Sequence, residues 1–259
     1  MDIAGRVVVV TGGGSGIGAA LCRAAAAAGA EAVVVADLNG TAAQAVAAEV
    51  GGKAATVDVR VESDVVGLVA ETVAEHGRVD IYCSNAGIAF GGGPEAPDEA
   101  WQTSWEVHVM AHVYAARALL PGMLARGEGY IVGTISAAGL LNHVLASPYA
   151  TTKAAGLSFL EWLAIAHGPD GIRVSALCPQ GVRTPMLEQA GDRDFLGPGA
   201  LEPDEVAAFV IDAMRDERFL VLPHPEVAEY VARRATDHPR WLRGMQRLRA
   251  GMMEAFEAR

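Results

Sequence analysis

Short runs of apolar, β-branched residues alternate in this chain with longer alanine-rich stretches, in which apolar side chains recur every three or four positions. The runs are apolar throughout, as in strands that are covered on both faces. Strands are predicted at residues 6–10, 32–36, 54–59, 79–84, 130–135, 172–178 and 219–222. Helices are predicted at residues 16–28, 41–50, 62–76, 97–125, 148–167 and 203–215. This alternation predicts an α/β fold, a single doubly wound Rossmann-type domain with a parallel sheet and helices on both faces.

Two segments stand outside the alternation. Residues 185–202 combine glycines, proline and charges with the apolar pair Phe195 and Leu196, and we interpret them as a substrate lid. We expect residues 1–222, lid included, to form the main domain and residues 223–259 a helical C-terminal extension. The extension carries an apolar stripe that packs either on its own domain or on a neighbouring subunit. The stripe consists of Trp241, Met245, Leu248, Met252 and Met253.

Charge and composition narrow the possible functions. A formal net charge of −11 over 259 residues repels nucleic-acid phosphates and anionic lipid. The arginines of the extension are offset by acids such as Glu226, Glu229 and Asp237, which indicates a solvated face. No apolar stretch is long enough to cross a membrane or to form a signal peptide. The three cysteines are far apart, which argues against disulfides and metal sites. We expect a cytoplasmic protein without nucleic acid, membrane or metal as a partner.

A glycine-rich turn, Thr-Gly-Gly-Gly-Ser-Gly-Ile-Gly at residues 11–18, joins the first predicted strand to the first helix. Backbone N–H groups of such a turn, with the positive end of a helix behind them, suit the pyrophosphate of a dinucleotide. A tight structural turn would have a similar composition, but the flanking strand and helix favour the phosphate site. The candidate cofactor residues here are Gly12, Ser15, Gly16, Ile17 and Gly18.

Acidic residues follow the next two strands. Asp37 lies where a carboxylate can accept both ribose hydroxyls of NAD and would repel the 2′-phosphate of NADP. Neither Ser15 nor Leu38, itself a candidate cofactor contact, brings a cation, so NAD is the expected cofactor. Asp58, with Val59 beside it, is a candidate for the adenine amine, or alternatively a cap on the helix that follows.

The carboxyl end of the fourth strand reads Ser-Asn-Ala-Gly. Small residues at this edge of a central strand leave room for a ligand, although an ordinary turn would have a similar sequence. Three residues are therefore further candidate cofactor contacts, namely Asn85, Ala86 and Gly87.

Tyr149 and Lys153 lie four residues apart in a predicted helix and share one face. A tyrosine hydroxyl has a pKa of about 10 and is a poor base at neutral pH. A neighbouring ammonium and an oxidised nicotinamide would favour the phenolate and lower that pKa. Lysine suits this role better than arginine, because its ammonium can pass protons to water. Lysine is also rare here, since Lys53 is the only other one in the chain.

Taken together, these motifs resemble the short-chain dehydrogenase/reductase family. The resemblance covers about residues 3–222, and it includes Ser136 thirteen residues before Tyr149 and the segment Cys-Pro-Gln-Gly-Val-Arg-Thr-Pro-Met from residue 178. It implies a seven-stranded parallel sheet and assembly as tetramers or dimers through the two long helices. It also implies that Tyr149 is the general acid/base, that Ser136 holds the substrate oxygen, and that Lys153 binds the nicotinamide ribose. The nicotinamide carboxamide would be held at Pro179, Val182 and Thr184.

Two positions depart from the family pattern. His108 stands where relatives usually carry an asparagine that anchors a water between the lysine and solvent. Either the imidazole takes part in the proton relay, as a fourth catalytic residue, or His108 is a packed helix residue. In the first case it would add a titration near neutrality to the pH–rate profile. Gln180 replaces the usual glycine and would narrow the nicotinamide pocket or restrict its loop.

The predicted substrate pocket is largely apolar. Residues 140–145, together with Met186 and Leu187, favour a hydrophobic secondary alcohol or ketone over a sugar or a charged acid. His143 either orients a polar substituent or is a plain loop residue. With NAD as cofactor, alcohol oxidation is the expected direction. Two alternatives remain open: an NADPH-dependent carbonyl reductase, and an NAD-binding sensor or scaffold without turnover.

Overall fold

The computed structural model describes residues 1–190 and 197–257, so the predicted lid residues Phe195 and Leu196 lie outside the described residues. Within this part of the chain, seven parallel strands form one sheet in the order β3–β2–β1–β4–β5–β6–β7. The strands are β1 (Val7–Thr11), β2 (Ala32–Asp37), β3 (Lys53–Thr56), β4 (Ile81–Ser84), β5 (Gly129–Thr134), β6 (Ile172–Leu177) and β7 (Leu220–Val221). The doubly wound parallel sheet that the sequence predicts is confirmed.

Helices cover both faces of the sheet. The helices are α1 (Gly16–Ala27), α2 (Gly40–Val50), α3 (Glu62–His76), α4 (Asp98–Trp105), α5 (Ala111–Arg126), α6 (Ala137–Leu141), α7 (Ser147–His167), α8 (Pro185–Ala190), α9 (Pro203–Arg215), α10 (Glu226–Thr236) and α11 (His238–Glu257). Apolar residues of α1, α2 and α9 belong to one core cluster, and those of α3, α5 and α7 to the other.

The apolar strands feed both clusters, because successive side chains of a strand point to opposite faces. In β1, Val8 and Val10 belong to the first cluster and Val9 to the second. In β2, Val33 and Val34 divide between the clusters in the same way. Continuous apolar runs therefore mark strands buried on both sides, as predicted.

Several element bounds differ from those predicted. The third strand ends at Thr56 rather than at residue 59. The single helix predicted at 97–125 consists of α4, a π-helical segment at Glu106–Met110, and α5. Helix α6 was not predicted, and it begins where the Ser136 Oγ accepts a hydrogen bond from the Ala138 N–H at 3.1 Å.

The C-terminal extension consists of α10 and α11. Val227 of α10 is fully buried in a small cluster with Ala137 and Leu141 of α6, and Trp241 of α11 packs against the same cluster. Farther along α11 the stripe is open, and Leu248 is 41% exposed. At Trp241 the stripe therefore packs on its own domain, which is the first of the two predicted alternatives.

Two whole-chain features complete the fold. Cys22, Cys83 and Cys178 are buried free thiols, as expected of small core residues. Among the described residues, no helix combines the length and apolar character needed to span a membrane.

Candidate active site

A cleft of about 1690 Å³ opens at the carboxyl edge of the sheet. It lies where the strand order reverses between β1 and β4, the place at which ligands bind in open parallel sheets. The predicted catalytic residues Ser136, Tyr149 and Lys153 line it. So do the predicted cofactor residues Gly12, Ser15, Gly16, Ile17, Asp37, Leu38, Asp58, Val59, Asn85, Ala86, Gly87, Pro179, Val182 and Thr184. Gly18 and His108 are not among the lining residues.

The glycine-rich turn packs directly against the backbone that follows β4. Gly12 has a φ of 63°, and a Cβ there would lie 2.8 Å from the Ala86 Cα. A Cβ at Gly18 would lie 2.0 Å from the Gly12 carbonyl oxygen, so Gly18 packs inside the turn and does not face the cleft. A Cβ at Gly16 would lie 2.9 Å from Thr184 Cγ2. The cradle has no room for side chains, and these residues fit the pyrophosphate of a dinucleotide.

Asp37 joins the glycine-rich turn to the segment after β2 at the wall of the cleft. Its Oδ2 accepts a hydrogen bond from the Gly14 N–H at 2.9 Å, and its Oδ1 accepts one from the Asn39 N–H at 2.8 Å. The carboxylate is thus fixed by two backbone donors at the wall of the cleft.

Arg60, which was not predicted as a site residue, also lines the cleft. Its Nη2 donates to Asp58 Oδ2 at 2.6 Å, and this hydrogen bond lowers the pKa of the Asp58 carboxyl. No side chain caps α3, whose N-cap residue is Val61, so Asp58 is not a helix cap. The sequence signal that could have identified Arg60 is its position two residues after Asp58. The pair places two opposite charges side by side at the wall of the cleft.

Asn85 lines the cleft, and its side chain is hydrogen bonded to the ends of two strands. Its Nδ2 donates to the Thr11 carbonyl oxygen at 3.0 Å, and its Oδ1 accepts from Thr134 Oγ1 at 2.9 Å. The side chain therefore joins the ends of β1 and β5 across β4.

The predicted catalytic residues come together on α7 and at the start of α6. Lys153 Nζ lies 5.7 Å from the centre of the Tyr149 ring and donates to the Thr134 carbonyl oxygen at 2.7 Å. Ser136 Oγ caps α6 and has a second, long contact of 3.5 Å to the Pro179 carbonyl oxygen. This weak contact leaves the Ser136 hydroxyl able to bind another oxygen.

Burial dominates the proton affinities at this site. It lowers the pKa of Lys153, which is 2% exposed, to about 7. Burial also raises the pKa of Tyr149, and a hydrogen bond with Ser136 opposes this increase only in part. Lys153 is not among the causes of this increase, the largest of which is the loss of water around the phenol. The expectation that Lys153 and an oxidised nicotinamide together lower the tyrosine pKa stays a prediction.

His108 is fully buried, and both of its ring nitrogens are engaged. The Ile88 N–H donates to Nε2 at 3.2 Å, so the ring proton is on Nδ1, which lies 2.8 Å from Thr152 Oγ1. Thr152 donates in turn to the Pro148 carbonyl oxygen at 2.8 Å. Burial and the charge of Lys153 hold the pKa of His108 well below its usual value. The expected titration near neutrality is therefore wrong, and the geometry matches the packed-residue alternative.

The helix that carries His108 meets α7 at Gly156. A Cβ at Gly156 would lie 2.6 Å from the His108 carbonyl oxygen, so the two backbones touch there. The contact lies in the π-helical segment, a type of irregularity that is frequent at functional sites. One turn later, His112 is buried, with Nδ1 2.7 Å from Ser84 Oγ.

Gln180 ties the nicotinamide loop to the C-terminal extension. Its backbone N–H donates to His224 Nδ1 at 3.2 Å, and its side-chain amide donates to Glu226 Oε1 at 2.8 Å. Of the two predicted effects of Gln180, a restricted loop is the one that these contacts favour.

The substrate side of the cleft is built from loops and from the C-terminal half of α11. The predicted Met186, Leu187, Val144 and Leu145 line it, whereas Leu140 packs in the core. His143 also lines it, and its Nδ1 accepts the Leu145 N–H at 3.2 Å within the turn. Sequence reasoning missed several lining residues, because their place depends on loop and helix packing. These are Phe90, Glu95, Val107, Arg249 and Met253.

Comparisons with known proteins agree with this geometry. Residues 6–194 match the family model described as short chain dehydrogenase. The chain is 41% identical over 207 residues to 2,5-dichloro-2,5-cyclohexadiene-1,4-diol dehydrogenase of Sphingobium indicum, covering 78% of this chain and 81% of that relative. It is 34% identical over 236 residues to 1-deoxy-11-beta-hydroxypentalenate dehydrogenase of Streptomyces exfoliatus, covering 87% and 86%.

A solved structure is similar over nearly the whole length. The short-chain dehydrogenase/reductase from Burkholderia phymatum in complex with NAD superimposes with a TM-score of 0.84 at 27% identity, covering 92% of this chain and 96% of that one. The match of more than half of the chain to the family model, together with these relatives, confirms the resemblance seen in the sequence. This chain belongs to the short-chain dehydrogenase family.

Proposed function

We propose that this oxidoreductase oxidises a hydrophobic secondary alcohol, including cyclic diols, to the ketone with NAD as hydride acceptor. The observation that carries the proposal is the meeting of Ser136, Tyr149 and Lys153 at one end of a cleft whose other end has the glycine cradle and Asp37. The name of the Sphingobium relative gives a cyclic diol as its substrate, which supports the same class of alcohol here.

When bound, NAD supplies the hydride acceptor and the positive charge of an oxidised nicotinamide. Tyr149 takes the proton of the substrate hydroxyl, and Ser136 donates a hydrogen bond to the same oxygen. Since burial raises the pKa of Tyr149, its phenolate needs positive charge nearby. Lys153 supplies part of it. With a pKa of about 7, its ammonium can also give up and regain a proton near neutral pH.

NAD is proposed over NADP because of the groups at the ribose end. The Asp37 carboxylate faces the cleft and would repel a 2′-phosphate. Arg60 is the cation close to this end, and its guanidinium is already bound by Asp58. The fitted cradle and the NAD complex of the Burkholderia relative support a dinucleotide.

Turnover assays test the proposal. Purified protein with NAD should form NADH, followed by its absorbance, with a panel of cyclic and acyclic secondary alcohols and diols. Tyr149→Phe should lower the rate by about 10³-fold, as expected for loss of a general base, and should still bind NAD, for which Tyr149 is one of many predicted contacts. Tyr114→Phe, on α5 and outside the cleft, is the matched control. NAD binding without turnover on the whole panel would favour the sensor or scaffold instead.

The oligomeric state and the cellular compartment are also proposals. We propose dimers or tetramers formed through α5 and α7, because Trp162 and Ile165 of α7 are 56% and 75% exposed. The three free thiols support a reducing, cytoplasmic setting. The division at residue 222 remains a prediction.

A further inference from the structure

A second cavity of about 910 Å³ adjoins the cleft on its substrate side. It lies between the loop after α6 and the two helices of the extension. Four residues line both spaces, namely Ser136, His143, Val144 and Gln180. A substrate whose hydroxyl lies at Ser136 therefore has room to extend into the second cavity.

The wall of the second cavity is amphipathic. Its apolar part is formed by Leu141, Val144, Trp241, Met245 and Leu248. Its charged part consists of Arg233, Arg240, Arg247 and the single acid Asp237. Arginines thus outnumber acids on this wall, although the protein as a whole has a net charge of −11.

Two of these arginines are not neutralised. Arg233 pairs with Glu229 at 3.2 Å, and Asp237 accepts the Arg240 backbone N–H at 3.0 Å at the start of α11. By contrast, the guanidinium groups of Arg240 and Arg247 form no ion pair with any residue in the described part of the chain. Seven residues are close to two helical turns, so both lie on the face of α11 that lines the cavity.

The excess of positive charge is a property of α11 as a whole. This helix has four arginines, at 240, 243, 247 and 249, against two glutamates. The acids of the extension offset only part of its arginine charge, because Glu229 pairs with Arg233 on α10 whereas Glu226 binds Gln180. The acids on α10 are thus already engaged by other partners.

Resting on the proposed dehydrogenase function, we propose that the substrate is an amphipathic anion. Its apolar body carries the secondary alcohol at Tyr149, and its anionic group, such as a carboxylate, is bound by Arg240 and Arg247. Guanidinium groups form paired, charge-assisted hydrogen bonds with carboxylates, and an apolar wall next to them suits a hydrocarbon spacer. This proposal departs from the sequence expectation, which favoured a hydrophobic alcohol or ketone over a charged acid.

A binding experiment tests the site without turnover. Cyclohexyl alkanoic acids with short and longer spacers, and their carboxamides, lack a hydroxyl and cannot react. By calorimetry, the best acid should bind about tenfold more tightly than its amide, and this preference should disappear in R240Q and R247Q. R243Q removes the same charge from α11 outside both cavities and should retain the preference. Acetate alone should not compete, because the apolar body supplies part of the affinity.

Equal or undetectable binding of the acid and its amide overturns the proposal, as does an equal loss in R243Q. A second assay, which measures turnover, distinguishes a failure of the anion site from a failure of the proposed function. The same acids and amides with a ring hydroxyl are assayed with NAD, and R240Q and R247Q should raise KM for the acid about tenfold without changing kcat. Selective binding without NADH formation would keep the anion site and reject the dehydrogenase. NADH formation at equal rates from the acid and the amide would support the dehydrogenase and reject the anion site.

Discussion

The imidazole of His108 meets the ring of Tyr149 edge-on, with 5.4 Å between the ring centroids and 90° between the planes. His108 is itself held by the Ile88 N–H and by Thr152. His108 thus packs against the predicted catalytic tyrosine, while both of its ring nitrogens are bound to other groups.

Replacing His108 should therefore affect rate and stability but not the ionisation profile. In His108→Asn, we expect kcat to fall about tenfold and the free energy of unfolding to fall by about 1–3 kcal/mol, since buried donors lose their partner. The midpoints of the pH–rate profile should stay in place, because His108 is neutral throughout that range. Kinetics against pH and urea denaturation measure both. His76→Asn, at the end of α3, is the control, and loss of a near-neutral ionisation in His108→Asn alone would restore the relay.

Lys153 should make stability depend on pH. Burial lowers its pKa from 10.5 to about 7, so the unfolded chain binds more protons than the folded protein between these values. Relative to Lys153→Met, the wild-type protein should gain stability as pH rises above about 7, by at most about 1.4 kcal/mol per pH unit. The gain builds up to about pH 10.5 and is lost as pH falls from there to about 7. Urea denaturation of both proteins at several pH values gives the difference between their free energies of unfolding. The contributions of the other titrating groups cancel in this difference. A difference independent of pH would contradict it.

Cofactor preference should depend on Asp37. In Asp37→Asn, the repulsion of a 2′-phosphate is removed and one charged acceptor for the ribose is lost. We expect the affinity ratio of NAD to NADP to fall by about tenfold or more, with some loss of stability because Gly14 and Asn39 donate to this carboxylate. Fluorescence titration with each cofactor measures the ratio. Glu49→Gln, a surface acid paired with Arg23, should leave the ratio unchanged.

The exposed face of α7 should be an interface between copies of the chain. Ile165→Glu places a charge in that face and should shift the protein to a smaller species in light scattering after size exclusion. Val66→Glu, on an exposed part of α3, is the matched substitution and should leave the mass unchanged. A wild-type mass equal to that of one chain would reject the proposed assembly.

The parts of the site that depend on local sequence patterns could be predicted from the sequence. The glycine turn, Asp37 and the Tyr149–Lys153 spacing each depend on a few neighbouring residues, and all of these predicted residues except Gly18 line one cleft. The state of His108 could not be predicted, because its partners Ile88 and Thr152 are 20 and 44 residues away. The second cavity likewise depends on how α11 packs on α6, which no local period reveals. The π-helical segment was missed because it is only five residues long and lies within an otherwise helical run.

The contact between Gly156 and the His108 carbonyl oxygen restricts which substitutions this enzyme can accept. The spacing of the helix that carries Tyr149 and Lys153 from its neighbour is set there by backbone atoms alone. No rotamer can alter that spacing, and no larger side chain can enter without moving a helix. The walls formed by Phe90, Met186 and α11 have no such constraint. New substrates can therefore be accommodated by exchanging wall residues, while the chemistry is inherited unchanged.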